Sequence, residues 1–164
     1  MREKGVFTIA TIQWSSPDPN LEVLHVTSSD DSIHLTIKSI TTASCCPTCS
    51  KPSSRIHSRY TRKISDLPIC DQSVKLLLIS RRWFCDQIDC ETTIFTERFD
   101  WISSSGRRTR RTEEFLRKIA FSTSCLSAEK VAKAAHIHVS HDTLLNIIRR
   151  TNIDSEVSPF RRSR

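Results

Sequence analysis

Two pairs of cysteines carry the chemistry this sequence could support. Cys46-Pro47-Thr48-Cys49 sets two thiols on one tight loop, and Cys85 and Cys90 set two more after a long insert. Two close thiol pairs, each folding back to offer both sulfurs from one side, meet the needs of a tetrahedral four-thiolate zinc site. Pro47 pre-sets φ in the first turn and helps aim backbone N–H groups at the thiolates. A set of four sulfurs leaves no open coordination position, so the expected cofactor is a structural Zn2+ ion that fixes the fold and performs no reaction. Nothing elsewhere in the chain places three acidic side chains in a recognisable metal-binding arrangement, and no enzyme activity is expected of this chain.

Other roles for these residues compete with the four-thiolate set. Cys45 offers a wider Cys-x3-Cys spacing in place of Cys46, but the closer pair has the usual knuckle geometry. His57 could replace one thiolate, yet it lies between Ile56 and Ser58 on an expected strand with four cysteines already at hand. A redox pair at Cys46 and Cys49 would normally open a helix in a βαβ unit, and no helical pattern follows. Four inert buried thiols are the remaining alternative. Seven cysteines is an odd number. No run reads as a secretion signal, and Leu76-Leu77-Leu78-Ile79 is far short of the roughly 18 apolar residues that span a bilayer. A reducing cytoplasm, where paired thiols favour metal over disulfide, is the expected compartment, with no membrane partner.

Strands must position the thiols. Residues 1–20 show little periodicity and are expected to be a poorly ordered lead-in. From Leu21 to Ile40 apolar residues alternate with polar ones around Ser28-Ser29-Asp30-Asp31, which predicts a β-hairpin with one buried face. Arg55–Tyr60 and Val74–Phe84 read as strands separated by a turn at Asp66-Leu67-Pro68, and the second delivers Cys85. Thr92–Thr96 should return beside it, with Trp83, Phe84 and Phe95 covering the metal. His25 and His34 are expected on the surface.

From Gly106 the period becomes helical. Arg107–Ser122 sets Phe115, Leu116 and Ile119 on one stripe, and Ser127–Ala135 sets Ala128, Val131, Ala132 and Ala135 on another. Ser140 is the expected N-cap of a third helix running through Arg150, with Leu144, Ile147 and Ile148 inward. A short helix, a tight turn and a polar-faced helix outline a helix-turn-helix, whose second helix enters the major groove. Its candidate DNA contacts are Ser140, His141, Thr143, Asn146, Arg149 and Arg150, with Arg107, Arg108, Arg110 and Arg111 ahead of it. Asn suits adenine, and Arg suits guanine or phosphate. His136, His138 and His141 straddle a turn and a helix start and are expected as solvated residues, not ligands. The net charge of +7 is uneven: −2 over residues 1–40, +2 over 41–100 and +7 over 101–164. That asymmetry predicts a polyanion partner engaged mainly by the back of the chain. The fold class is therefore α+β: a small zinc-ribbon-like β domain (21–100), a three-helix helix-turn-helix domain (101–152) and a basic tail (153–164).

The ordered motifs together resemble the front of a transposase of the ISL-three insertion-sequence family. The resemblance spans about Leu21 to Arg150: Cys-Pro-x-Cys at 46–49, Ser-Ser-Arg-Ile-His-Ser-Arg-Tyr at 53–60, Asp-Leu-Pro at 66–68, Arg-Arg-Trp-Phe-Cys at 81–85, Cys90, Ile-Phe-Thr-Glu-Arg at 94–98 and Ser-His-Asp-Thr-Leu-Leu-Asn-Ile-Ile-Arg-Arg at 140–150. It implies a zinc-binding domain and a helix-turn-helix that recognise terminal inverted repeats in DNA transposition, in the bacterial cytoplasm or nucleoid. In the family a metal-dependent DDE domain follows. The expectation here is a front piece that ends before it. Ser50, Cys70 and Ser122–Ser127 stand where the family commonly has glycine, which bears on loop geometry and helix packing. Alternatives to the DNA-binding module are a protein-interaction module, binding full-length transposase as an inhibitor or pairing with itself as a homodimer, and a decayed fragment without function.

Overall fold

A computed structural model describes residues 14–102 and 106–151. Its main sheet grows from the predicted hairpin. β1 (Leu21–Ser28) pairs antiparallel with β2 (Ser32–Ser39), with a register shift between Val23 and His25. β2 obeys period two, burying Ile33, Leu35, Ile37 and Ser39 on one face. It then lies parallel to β6 (Gln72–Phe84), Leu35 facing Leu76 and Ile37 facing Leu78. β6 buries Val74, Leu76 and Leu78 on that same face, and Phe99, Trp101 and Ile102 close over them. The expected domain boundary at 100/101 thus falls within a run that contributes to this core. Of the expected lead-in, residues 1–13 lie outside the described residues, while Trp14 packs half-buried against the core.

β5 (Ile56–Ile69) completes the sheet as the antiparallel neighbour of β6, giving the order β1-β2-β6-β5. β7 (Ile94–Thr96) pairs with Arg82–Phe84, beyond the point where β2 leaves the same edge of β6. The return of this segment beside β6 is as expected. The turn expected at Asp66-Leu67-Pro68 is not there. β5 runs through it with a register shift between Asp66 and Ile69, and the chain reverses at Cys70-Asp71. Pro68 is tolerated because β5 is an edge strand and the proline sits at its irregularity, where no ladder hydrogen bond is lost. Cys70 (φ 48°) and Asp71 (φ 60°) are both left-handed, as a two-residue hairpin turn demands. Neither is glycine, so the usual signal is missing.

Three helices follow. The first expected helix begins at Arg110, not Arg107. Arg107–Thr109 instead run beside β5, with Ser65 N–H donating to the Arg107 carbonyl (2.8 Å) and Thr109 N–H donating to that of Ser65 (3.0 Å). Thr109 then caps α1 (Arg110–Ser122), its hydroxyl accepting from Thr112 N–H. α2 (Cys125–Ala134) starts two residues earlier than expected because Ser124 is its cap. α3 (His141–Arg150) starts behind Ser140 as predicted. Leu116, Ala120, Ala128, Ala132, Ile137 and Leu144 form the shared core, with Ile119, Ile147 and Ile148 partly covered around it. Phe115 and Val131, expected on the inward stripes, are exposed. Among the described residues no helix is long and apolar enough to cross a membrane.

Candidate metal centre

The first knuckle is held at both ends by backbone bonds. β3 (Ser44–Cys45) pairs with β4 (Pro52–Ser53), and between them Cys46 N–H donates to the Lys51 carbonyl (2.9 Å). Ser50 N–H donates to the Cys46 carbonyl (2.8 Å), which closes the loop and forces Ser50 to φ 59°. β6 brings Cys85 to its end, where Cys85 N–H donates to the Thr93 carbonyl (2.8 Å); Cys90 N–H donates to that of Gln87 (3.2 Å). The Thr48 hydroxyl in the first loop bonds that of Thr92 just past the second (2.7 Å), and Asp86 in the second loop pairs with Arg55 just past β4.

The four sulfurs converge. Cys46 Sγ lies 3.8 Å from Cys90 Sγ, Cys49 Sγ lies 3.6 Å from Cys85 Sγ, and all four lie within 4.8 Å of one another. A tetrahedron with Zn–S bonds of about 2.3 Å has sulfur–sulfur edges of about 3.8 Å, so the set fits Zn2+ with little movement. The acid–base chemistry agrees. The backbone N–H of Cys49 draws the Cys46 thiol down to about 6 despite burial. At Cys85 the Gln87 N–H pulls the same way, but burial and the neighbouring sulfurs win and push it up to about 12. Crowded sulfurs cannot all ionise alone. A divalent cation removes that conflict, and the four residues hold a structural Zn2+ whose binding releases protons.

The alternatives for ligands are resolved by position. Cys45 points outward, exposed, on the small β3–β4 ladder, while Cys46 is buried beneath Trp83 and Phe95. His57 meets Phe84 edge-on (4.8 Å) and bonds the Ser58 hydroxyl, away from the sulfurs. Phe84, expected over the metal, lies instead under the Arg55 guanidinium.

The candidate DNA residues divide by environment. Arg107, Arg110, Asn146, Arg149 and Arg150 are exposed, and Arg108 and Thr143 are half-buried. Ser140 caps α3, its hydroxyl accepting from Thr143 N–H (3.4 Å). His141 is bonded to Glu129 of α2 through both its backbone N–H (2.8 Å) and Nδ1 (3.1 Å). Arg111 turns inward and pairs through two nitrogens with Asp66.

That acid, expected from the sequence only as part of a turn and of the Asp-Leu-Pro motif, is a structural residue. Asp66 is buried and also accepts from Thr109 Oγ1 (2.7 Å) and Trp14 Nε1 (3.0 Å). Burial works to raise its pKa, but the bonds from Arg111, Thr109 and Trp14 outweigh it and hold the carboxyl below its ordinary range. One carboxylate therefore ties the lead-in and the start of α1 to β5. The available signal is an acid two residues after Ile64, on the same buried strand face. Glu97 plays a similar part nearer the metal, accepting from Ser39 Oγ (2.5 Å), Thr41 Oγ1 and Arg81 N–H (3.2 Å).

No curated protein and no solved structure matches the chain. Residues 42–90, which contain all four cysteines, match the family model of the zinc-finger of transposase IS204/IS1001/IS1096/IS1165, so this segment is similar to the zinc ribbon of those transposases.

Proposed function

We propose that the chain is a zinc-stabilised DNA-binding module of the transposase type, with α2, the following turn and α3 acting as a helix-turn-helix that recognises transposon terminal inverted repeats. The observation that carries this reading is the polarity of α3. Leu144 is fully buried, whereas Asn146, Arg149 and Arg150 are exposed and, among the described residues, have no ion-pair partner. The turn into α3 contains His136 at φ 56°, and Glu129 of α2 fixes the start of α3 through His141. Asn146 and the two arginines are the reading and phosphate-binding side chains; Arg107, Arg108 and Arg110 add backbone contacts, and Arg111 braces the fold. The metal, closed within four sulfurs, holds the ribbon and takes no part in any reaction.

The test is selection from a randomised duplex pool, followed by anisotropy titrations of the selected and scrambled duplexes. A preference of at least tenfold is expected for the selected sequence, and equal affinities at moderate salt would sink the specificity claim. Asn146→Ala should reduce that preference by about 1–3 kcal/mol, while Arg108→Ala should weaken all duplexes alike. A second reading, a self-associating interaction module, draws on Phe121, Leu126 and Val131, which stand exposed on α1 and α2. Sedimentation equilibrium tests it directly.

A further inference from the structure

We infer that the open face of the sheet, opposite the hydrocarbon core, is a second contact surface for duplex DNA that grips the phosphate backbone. The inference rests on the DNA-binding reading above and assigns it a surface that neither the motifs nor the helices supply.

Strand alternation defines the face. Ile64, Leu76 and Leu35 point into the core, so their neighbours Lys63, Lys75 and His34 stand on the other side, with Arg59 further along β5. Lys63 lies opposite Leu77 and Lys75 opposite Ser65, which makes the two lysines diagonal neighbours about 7–8 Å apart. Arg107 joins them from the segment hydrogen-bonded to Ser65. The four cations Arg59, Lys63, Lys75 and Arg107 are exposed, and among the described residues none has an ion-pair partner. The one acid that strand register places on this face is Glu22 on the far strand β1, already bonded to Lys38 (2.7 Å).

Shape and energetics favour a polyanion here. Lys63, Lys75, Arg107, His34 and Leu77 line a trough of about 570 Å³ with no acidic side chain in its wall. Arg59 stands directly across from Arg81, whose guanidinium is taken up by the Thr41 carbonyl and the Trp83 ring, so Arg59 offers its charge to solvent at that end of the face. From Arg59 to Lys63 the strand covers about 13 Å, over which a duplex presents about eight phosphate charges. Arg107 is followed by Arg108 and by exposed Arg110 at the start of α1, so the cationic surface continues from the sheet into the helical region.

The experiment is the salt dependence of duplex binding by the full chain, compared with the triple variant Arg59→Gln, Lys63→Gln, Lys75→Gln. Each lost phosphate contact lowers the slope of log K against log salt by about 0.9, so the variant should lose about 2.7 from the slope, equally on selected and scrambled duplexes. The charge-keeping variant Arg59→Lys, Lys63→Arg, Lys75→Arg should keep the wild-type slope. Zinc stoichiometry and circular dichroism check folding. If the triple variant loses its zinc, the single changes Lys63→Gln and Lys75→Gln should each remove about 0.9. An unchanged slope in a folded variant, with the wild type binding DNA, overturns this inference alone. So does a dimer that dissociates in the variant while its slope is unchanged, because a second copy would then be the occupant. Failure of the wild type to bind any duplex overturns the DNA-binding reading itself.

Discussion

Around the four sulfurs, Trp83 and Phe95 are the large side chains that join Cys46 in full burial, whereas the three helices gather Leu116, Ala120, Ala128, Ala132, Ile137 and Leu144 about one centre. The ribbon end gathers three buried side chains against six in the helical trio, yet it carries the more demanding geometry, two loops that must meet within a few ångströms. The helices need no ion: each has a hydroxyl cap, Thr109, Ser124 or Ser140, and small alanines let α2 pack closely. The difference teaches that the two regions should fail by different routes. The metal acts where packing is thin, and packing suffices where caps and stripes agree.

Metal removal should give the largest effect. A strong chelator, or Cys85→Ser, should unfold the ribbon end at an apparent cost on the order of 10 kcal/mol. The helical far-UV signal should persist, while near-UV dichroism loses the share that buried Trp83 contributes and keeps that of Trp101 in the sheet core. Loss of both signals together would show a single cooperative unit and break the comparison.

Asp66 sharpens the same point, since it fastens the helices to the sheet without metal. Asp66→Ala strips Arg111, Thr109 and Trp14 of their common acceptor and should cost about 3 kcal/mol, the lower end for a broken buried pair because Arg111 is a third exposed. Its carboxyl titrates below its ordinary range in the folded chain. The stability it contributes is therefore complete above the unfolded pKa of about 4 and is lost as pH falls through the lower folded value. Urea titrations at neutral and acid pH should show Asp66→Asn removing that part of the acid sensitivity. An equal pH dependence in wild type and variant would locate the acid response elsewhere.

Legibility in the sequence followed the same physics. Cys46, Cys49, Cys85 and Cys90 could be paired from spacing because a tetrahedral thiolate site constrains both ligand type and loop length. The β1–β2 hairpin and the Ser140 cap were readable because period two and N-capping are local rules. What could not be read is non-local. The parallel pairing of β2 with β6 has no turn between the strands to announce it, and Arg107–Thr109 continue the helical charge pattern while pairing with Ser65. Pro68 signals a turn by residue type, but edge position and a register shift absorb it, and the true turn at Cys70-Asp71 lacks glycine.

That lack gives the smallest and most selective test. Of the positions where the resemblance leads one to expect glycine, Ser50 and Cys70 adopt φ of 59° and 48°. Thr123 and Ser124, in the third glycine-poor stretch, are extended, so glycine has no conformational advantage at either. A left-handed residue with a Cβ costs about 1–2 kcal/mol, and glycine relieves it while adding unfolded-state entropy worth about 0.4–1 kcal/mol. Ser50→Gly and Cys70→Gly should therefore each raise stability by about 0.5–1 kcal/mol, whereas Ser124→Gly should lose a few tenths with its cap. Only Ser50→Gly should also tighten zinc, because Ser50 N–H closes the Cys46 loop; Cys70 lies at the opposite end of β6. Equal gains in zinc affinity from both would mean that the knuckle and the far hairpin respond to strain as one body, and the separation between metal-held and packing-held regions would have to be drawn elsewhere.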